Sequence, residues 1–116
     1  MITESEFIAA ADRTLAAIGA ALDAALDSSA ADVDWSLNDG ILEVDCGDGG
    51  KIIVNRHVPN REMWVAARSG GFHFRPVERR WRDTRSGNEL ASALGALLAA
   101  QAGLTVALPA LAAPDT

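Results

Sequence analysis

The chain reads as an α+β two-layer sandwich, two helices packed on one face of a five- to six-stranded antiparallel sheet. Three observations predict it. Apolar residues recur at helical spacing from Phe7 to Leu26. From Val33 to Phe74 the period drops to two, with turn residues between short runs. Helical spacing then returns from Leu90 to Leu98. Helix, meander of strands, helix is the element order of an α+β sandwich.

The first helix opens at Thr3-Glu4-Ser5-Glu6, the capping-box form in which Thr takes the N-cap and Glu stands three residues on. Phe7, Ala11, Leu15, Ile18, Leu22 and Leu26 form one stripe. At about 100° per residue, Asp12, Asp23 and Asp27 share one flank of that stripe, within about 60°. The helix should end near Asp27, where "DSSAAD" begins a turn. Strands follow at Val33–Leu37 and Leu42–Cys46, joined by the hairpin signal Asn38-Asp39-Gly40. Gly47-Asp48-Gly49-Gly50 turns into a third strand, Lys51–Arg56, whose β-branched residues suit the middle of a sheet. Pro59-Asn60 turns again, and Glu62–Ala67 is a fourth strand. Ser69-Gly70-Gly71 leads to Phe72-His73-Phe74, where Pro76 stops the strand or marks an edge. Trp81 sits in a short sixth strand. Ser86-Gly87-Asn88-Glu89 opens the second helix, with Leu90, Leu94, Leu97 and Leu98 as its stripe and Gly103 as its stop. The apolar tail Leu104–Leu111 should pack back on the domain, with the last few residues frayed.

Each helix has one apolar stripe, so both should cover the same sheet face and leave the other open to water. Met63 and Val65 then point at the helices, and Trp64 points away from them. On that open face Trp64 either supplies contact area to a partner or packs along the stems of Arg56 or Arg68. His73, between two core-facing Phe, should share the outer face, and both His73 and His57 read as structural or surface residues. Cys46 reads as a core-facing thiol; alone it makes neither an internal disulfide nor a zinc site.

With 116 residues, 49% of them hydrophobic, the chain fits one domain, residues 1–116, with one core. No stretch has the roughly 18–20 apolar residues that a membrane helix needs. The acidic start, MITESEF, lacks the basic region of a secretory signal, so a cytoplasmic protein is expected. The net charge of −6 is unevenly placed. Residues 1–50 hold eleven Asp and Glu against Arg13 alone, and residues 51–116 hold nine Lys and Arg against five carboxylates. Such a split predicts one acidic face and one mildly basic region. Arg75, Arg79, Arg80, Arg82 and Arg85 gather around Trp81, but an overall pI near 4.7 argues against nucleic acid. Pairing with acidic groups across the sheet, or contact with a partner, is the expected role. No Gly-rich phosphate loop and no nucleophile elbow points to catalysis.

The stretch "GGKIIVNRHVPNREMWVAARSGGFHF", Gly49 to Phe74, resembles the frataxin family, in particular its bacterial, CyaY-type members. The features carrying the resemblance are an apolar strand ending in Asn55-Arg56, then Pro59, then Trp64, then Gly70-Gly71-Phe72-His73-Phe74. Trp81, "RSGNEL" at 85–90, "SEF" at the start and "QAG" near the end extend it over nearly the whole chain. The resemblance implies the same two-layer fold and a role in iron–sulfur cluster assembly, as iron donor or as sensor and regulator. It implies a cysteine desulfurase and its scaffold protein as partners, met partly through Asn55 and Trp64. It also implies iron, Fe2+ or Fe3+, bound weakly by surface carboxylates of the first helix and first strand edge. The candidates here are Asp12, Asp23, Asp27, Asp32 and Asp34, a set whose hard oxygen donors suit such a cation. A monomer, or an iron-dependent oligomer, is expected.

The chain departs from that pattern where bacterial relatives carry a denser carboxylate run. Gly19, Ala20, Ala24, Ala25, Ala30 and Ala31 stand there instead. The thinned ridge leaves two alternatives beside a solvated acidic face: weak iron sites, or an interaction module of the same fold without useful iron binding. An enzyme is not expected beyond a weak ferroxidase-type oxidation on exposed carboxylates.

Overall fold

Helix α1, Glu4–Asp27, begins where its cap dictates. Thr3 Oγ1 accepts from the Glu6 backbone N–H at 3.1 Å, and Glu6 Oε1 accepts from the Thr3 N–H at 3.0 Å. Two of the orphan donors of the first turn are thereby satisfied. These contacts hold the Glu6 carboxyl below the usual carboxylate range, the Thr3 backbone N–H being the larger cause. The computed structural model describes residues 2–115.

Six strands follow in sequence order: β1 (Asp34–Asn38), β2 (Ile41–Asp45), β3 (Lys51–His57), β4 (Glu62–Ala67), β5 (Gly70–Val77) and β6 (Arg80–Asp83). Each pairs antiparallel with the next, giving the spatial order β1-β2-β3-β4-β5-β6. Helix α2, Leu90–Leu97, continues into a π-helical turn, Leu98–Ala102, and ends at Gly103 with φ 65°. That left-handed conformation at the helix stop is where glycine is favoured.

Every second strand residue faces the helices. Leu42, Val44, Ile52, Val54, Met63, Val65, Phe74 and Trp81 are buried against Phe7, Leu15, Ile18 and Leu22 of α1 and Leu90, Leu94 and Leu98. Full burial of one such side chain stabilises by about 1.5–3 kcal/mol. Trp81 meets Phe7 edge-on at 5.9 Å between ring centroids, and its Nε1–H donates to Thr14 Oγ1 at 3.0 Å. The buried indole thus has the partner that its polar atom requires.

Three sequence expectations change in detail, and a fourth is decided between its alternatives. Pro76 marks an edge and not a stop: strand β5 runs through it to Val77, because the ladder to β4 ends at Phe74 and no bond from the Pro76 nitrogen is needed. The second helix starts at Leu90 with Glu89 as its N-cap, later than the Ser86 opening expected; Ser86 still belongs to the preceding turn and Glu89 is bridged to Arg82. Cys46 lies one residue beyond β2; it is free and buried, and burial pushes its thiol pKa up. The tail is tied down further than expected. Leu111 and Ala113 are buried, Ala113 N–H donates to Arg79 O at 2.9 Å, and Asp115 pairs with Arg79 at 3.0 Å. Thr116 lies outside the described residues.

Candidate functional site

The sheet face away from the helices is uncovered, and β3, β4 and β5 place their outward residues side by side on it. Asn55 and Trp64 are direct cross-strand partners, and Trp64 is the partner of His73. Both sequence-nominated partner residues therefore fall on one patch. The Trp64 ring does not lie along an arginine stem. It is held between two imidazoles, His57 at 3.6 Å and 7° and His73 at 4.2 Å and 8°. Arg56 points to the helix side and Arg68 donates to Asp48 O at 2.8 Å. Glu62 completes the patch. Its Oε1 accepts from Trp64 Nε1 at 2.8 Å and lies 3.9 Å from His73 Nδ1. The ring is pre-oriented by stacking on both faces and by a hydrogen bond at its edge, which lowers the side-chain entropy lost on binding. The indole between them keeps the two histidines from sharing one ion.

The five aspartates are arranged differently. Asp12 is ion-paired with Arg56, whose guanidinium also lies 3.8 Å from Asp39. Asp23 Oδ1 accepts from Trp35 Nε1 at 2.8 Å. Asp27 and Asp32 are exposed. Asp34 stands on the open side of β1, opposite to Trp35, and its cross-strand partner is Asp45. The strand thus separates Asp34 from the helix flank. Among the described residues no group of three or more His, Cys, Asp or Glu side chains converges on one point. A hard cation on such a surface meets one or two carboxylates and keeps most of its water, the donor set of a weak site.

Sequence reasoning missed Asp45, Glu62 and the histidine stack. Asp45 was within reach, because the two-residue turn Asp39-Gly40, both at positive φ, fixes the β1–β2 register. The stack was not. The true β4–β5 turn is Arg68-Ser69, with Gly70 already paired to Ala67, whereas Ser69-Gly70-Gly71 carries the stronger turn signal.

The arginine cluster divides around the sheet. Trp81 lies in the core, while Arg75 and Arg82 are cross-strand partners on the open side. Arg80 and Arg82 lie 3.4 and 3.7 Å from Glu89. Arg79, Arg80 and Arg82 do pair with acidic groups, but with Asp115 of the tail and Glu89 before α2 and not with groups across the sheet.

A six-stranded antiparallel meander with both helices on one face, and a stacked tryptophan on the bare face, defines a frataxin-like sandwich. The comparisons with known proteins agree. The family model described as the frataxin-like domain matches residues 1–104, and the chain belongs to the frataxin family. It is 46% identical over 107 residues to the iron-sulfur cluster assembly protein CyaY of Cupriavidus metallidurans, covering 92% of this chain and 96% of that one. It is 45% identical over 109 residues to the protein of the same name from Ralstonia nicotianae, covering 94% and 96%. Among solved structures, the frataxin of Psychromonas ingrahamii superposes with a TM-score of 0.75 at 30% identity, covering 93% of this chain and 99% of that one. The trimeric frataxin of Saccharomyces cerevisiae, solved in a ferrous complex, shares the fold at a TM-score of 0.72 and 22% identity, covering 81% of this chain and 86% of that one. Among the described residues no helix is long and apolar enough to cross a membrane.

Proposed function

We propose that the protein serves iron–sulfur cluster assembly in the cytoplasm, as an iron-carrying regulator rather than an enzyme. The observation that carries this is close similarity, over more than nine tenths of the chain, to relatives named for that assembly. In this reading the patch of Asn55 and Trp64 docks on a cysteine desulfurase and its scaffold protein. Iron is the cargo. Asp12, Asp23, Asp27, Asp32 and Asp34 hold it weakly and exchange it readily.

Two experiments test the parts separately. In anaerobic cluster assembly with purified desulfurase and scaffold, the wild-type chain should change the rate and Trp64→Ala should change it much less. Equal effects of the two chains would remove the patch from the mechanism. In an NMR titration with ferrous iron, amides near the five aspartates should broaden. Changing Asp23 and Asp27 to Asn should reduce that broadening, and an unchanged titration would clear the helix flank.

A second reading has specific support. Asp12 is engaged by Arg56 and Asp23 by Trp35, so two of the five carboxylates are already occupied within the fold. The chain would then be an interaction module with no useful iron binding, and amides that stay sharp at millimolar iron would favour it. Oxidation of ferrous iron on exposed carboxylates is a third possibility. Oxygen uptake no faster than with free iron would discard it.

A further inference from the structure

The β5–β6 hairpin carries a charge arrangement that neither the core nor the Asn55–Trp64 patch explains. Arg75 and Arg82 stand directly opposite each other on the open face, away from the buried Phe74 and Trp81. Like charges in that relation destabilise a sheet. Arg80, two residues from Arg82, projects to the same side. Against these three guanidinium groups stands one carboxylate, Glu89, which Arg80 and Arg82 share. Arg75 is exposed and has no ion-pair partner among the described residues. Glu62, on the neighbouring strand, is committed to Trp64 and His73. The opposite end of the same face is net acidic: Asp34, Glu43 and Asp45 on β1 and β2 outnumber Lys51 of β3, which pairs with Glu43 at 3.3 Å. The open face is therefore bipolar, and its basic end holds uncompensated charge.

We infer that the Arg75–Arg80–Arg82 strip is a docking surface for an acidic polypeptide segment. The geometry selects that chemistry. Arg80 and Arg82 repeat at the two-residue period of a strand, about 6.6–6.8 Å. An extended segment with Asp or Glu at alternate positions presents carboxylates at the same interval. Guanidinium groups bind carboxylates in a bidentate fork, so an incoming carboxylate near Arg75 and Arg82 would relieve their repulsion. A small phosphate is a poorer fit. The hollow of about 100 Å³ at the end of the hairpin is lined by Gly71, Phe72, His73, Asp83, Thr84 and Arg85, so it includes a carboxylate and none of the three strip arginines. Nucleic acid is disfavoured by the net charge of −6 and by the carboxylates at the far end of the face. The inference rests on the hairpin alone, not on the assembly role proposed above.

The test is an NMR titration of the labelled full-length chain with capped hexaglutamate at low salt. Shifts should be confined to His73 and the β5–β6 hairpin. They should weaken strongly on raising the salt to about 0.3 M, since exposed ion pairs are screened there. Arg75→Gln and Arg82→Gln should each weaken binding by about fivefold or more, the loss of one charge-assisted contact. Should Arg82→Gln misfold through loss of Glu89, Arg75→Gln and Arg75→Glu decide, since Arg75 supports no other group. An unmoved hairpin, or Arg75→Gln binding as tightly as wild type, overturns the inference. Inorganic phosphate reproducing the same shifts at equal affinity also overturns it. Trp64→Ala separates the two surfaces: retained peptide binding supports the strip, and lost binding assigns the peptide to the aromatic patch instead.

Discussion

The Trp35 indole lies over Gly19 of α1 and donates its Nε1–H to Asp23 Oδ1 at 2.8 Å. A Cβ on Gly19 would stand 2.6 Å from the Trp35 ring. The thinned part of the acidic ridge is thus a seat for an aromatic ring, and a ridge carboxylate is drawn into holding it.

Gly19→Ala should therefore act locally. Replacing a helical Gly with Ala gains up to about 1 kcal/mol of propensity. The ring tip can swing aside, so global stability in urea should change by no more than about 1 kcal/mol. The Trp35–Asp23 bond should break, moving the Trp35 indole N–H resonance. A resonance that stays in place would show that the seat tolerates a methyl group.

Met63 and Trp64 are neighbours with opposite fates. Met63→Ala should cost about 2–5 kcal/mol, because it opens a cavity under the helices. Trp64→Ala should cost only about 1–2 kcal/mol, the loss of two stacked contacts on the open face. Equal costs in parallel denaturant titrations would contradict this division of faces.

Thr14 carries the one polar contact made by the buried Trp81 indole. Thr14→Val keeps the shape and strands that N–H, at about 1–3 kcal/mol. Trp81→Phe opens a cavity of its own, so the double variant should be less stable than either single one, but by about 1 kcal/mol less than the two losses summed. A double mutant cycle with no coupling would mean that the bond is energetically silent.

The β5–β6 turn uses Glu78 and Arg79 at φ 51° and 64°. Left-handed backbone costs non-glycine residues roughly 1 kcal/mol each. Replacing Glu78-Arg79 by Asn-Gly should raise stability by about 1 kcal/mol, net of the exposed Arg79–Asp115 pair, itself worth at most about 1 kcal/mol. A lower melting temperature would count against this account of the turn.

Glu6 sets a sign for pH dependence. Its folded carboxyl is held below its unfolded value by the Thr3 contacts. Its contribution is therefore present above the unfolded value and is lost as pH falls through the folded one. Glu6→Gln keeps a capping acceptor without the charge, so it should flatten that part of the acid limb. Identical acid limbs for the two chains would exclude the effect.

The element order, the helix cap at Thr3, the outward direction of Trp64 and the core stripes were all legible from sequence. Those features follow from local periods and from turn chemistry acting over a few residues. The histidine stack, the capture of Asp23 by Trp35 and the Arg75–Arg82 pairing were not. Each joins residues on different elements. His57 meets Trp64 across a four-residue loop whose register no pattern fixes, and Trp35 reaches Asp23 only after β1 docks on α1. Sequence alone determined which residues face the core, because backbone geometry sets the period. Tertiary structure alone decided which surface groups meet, because strand register and helix docking bring together side chains that nothing local relates.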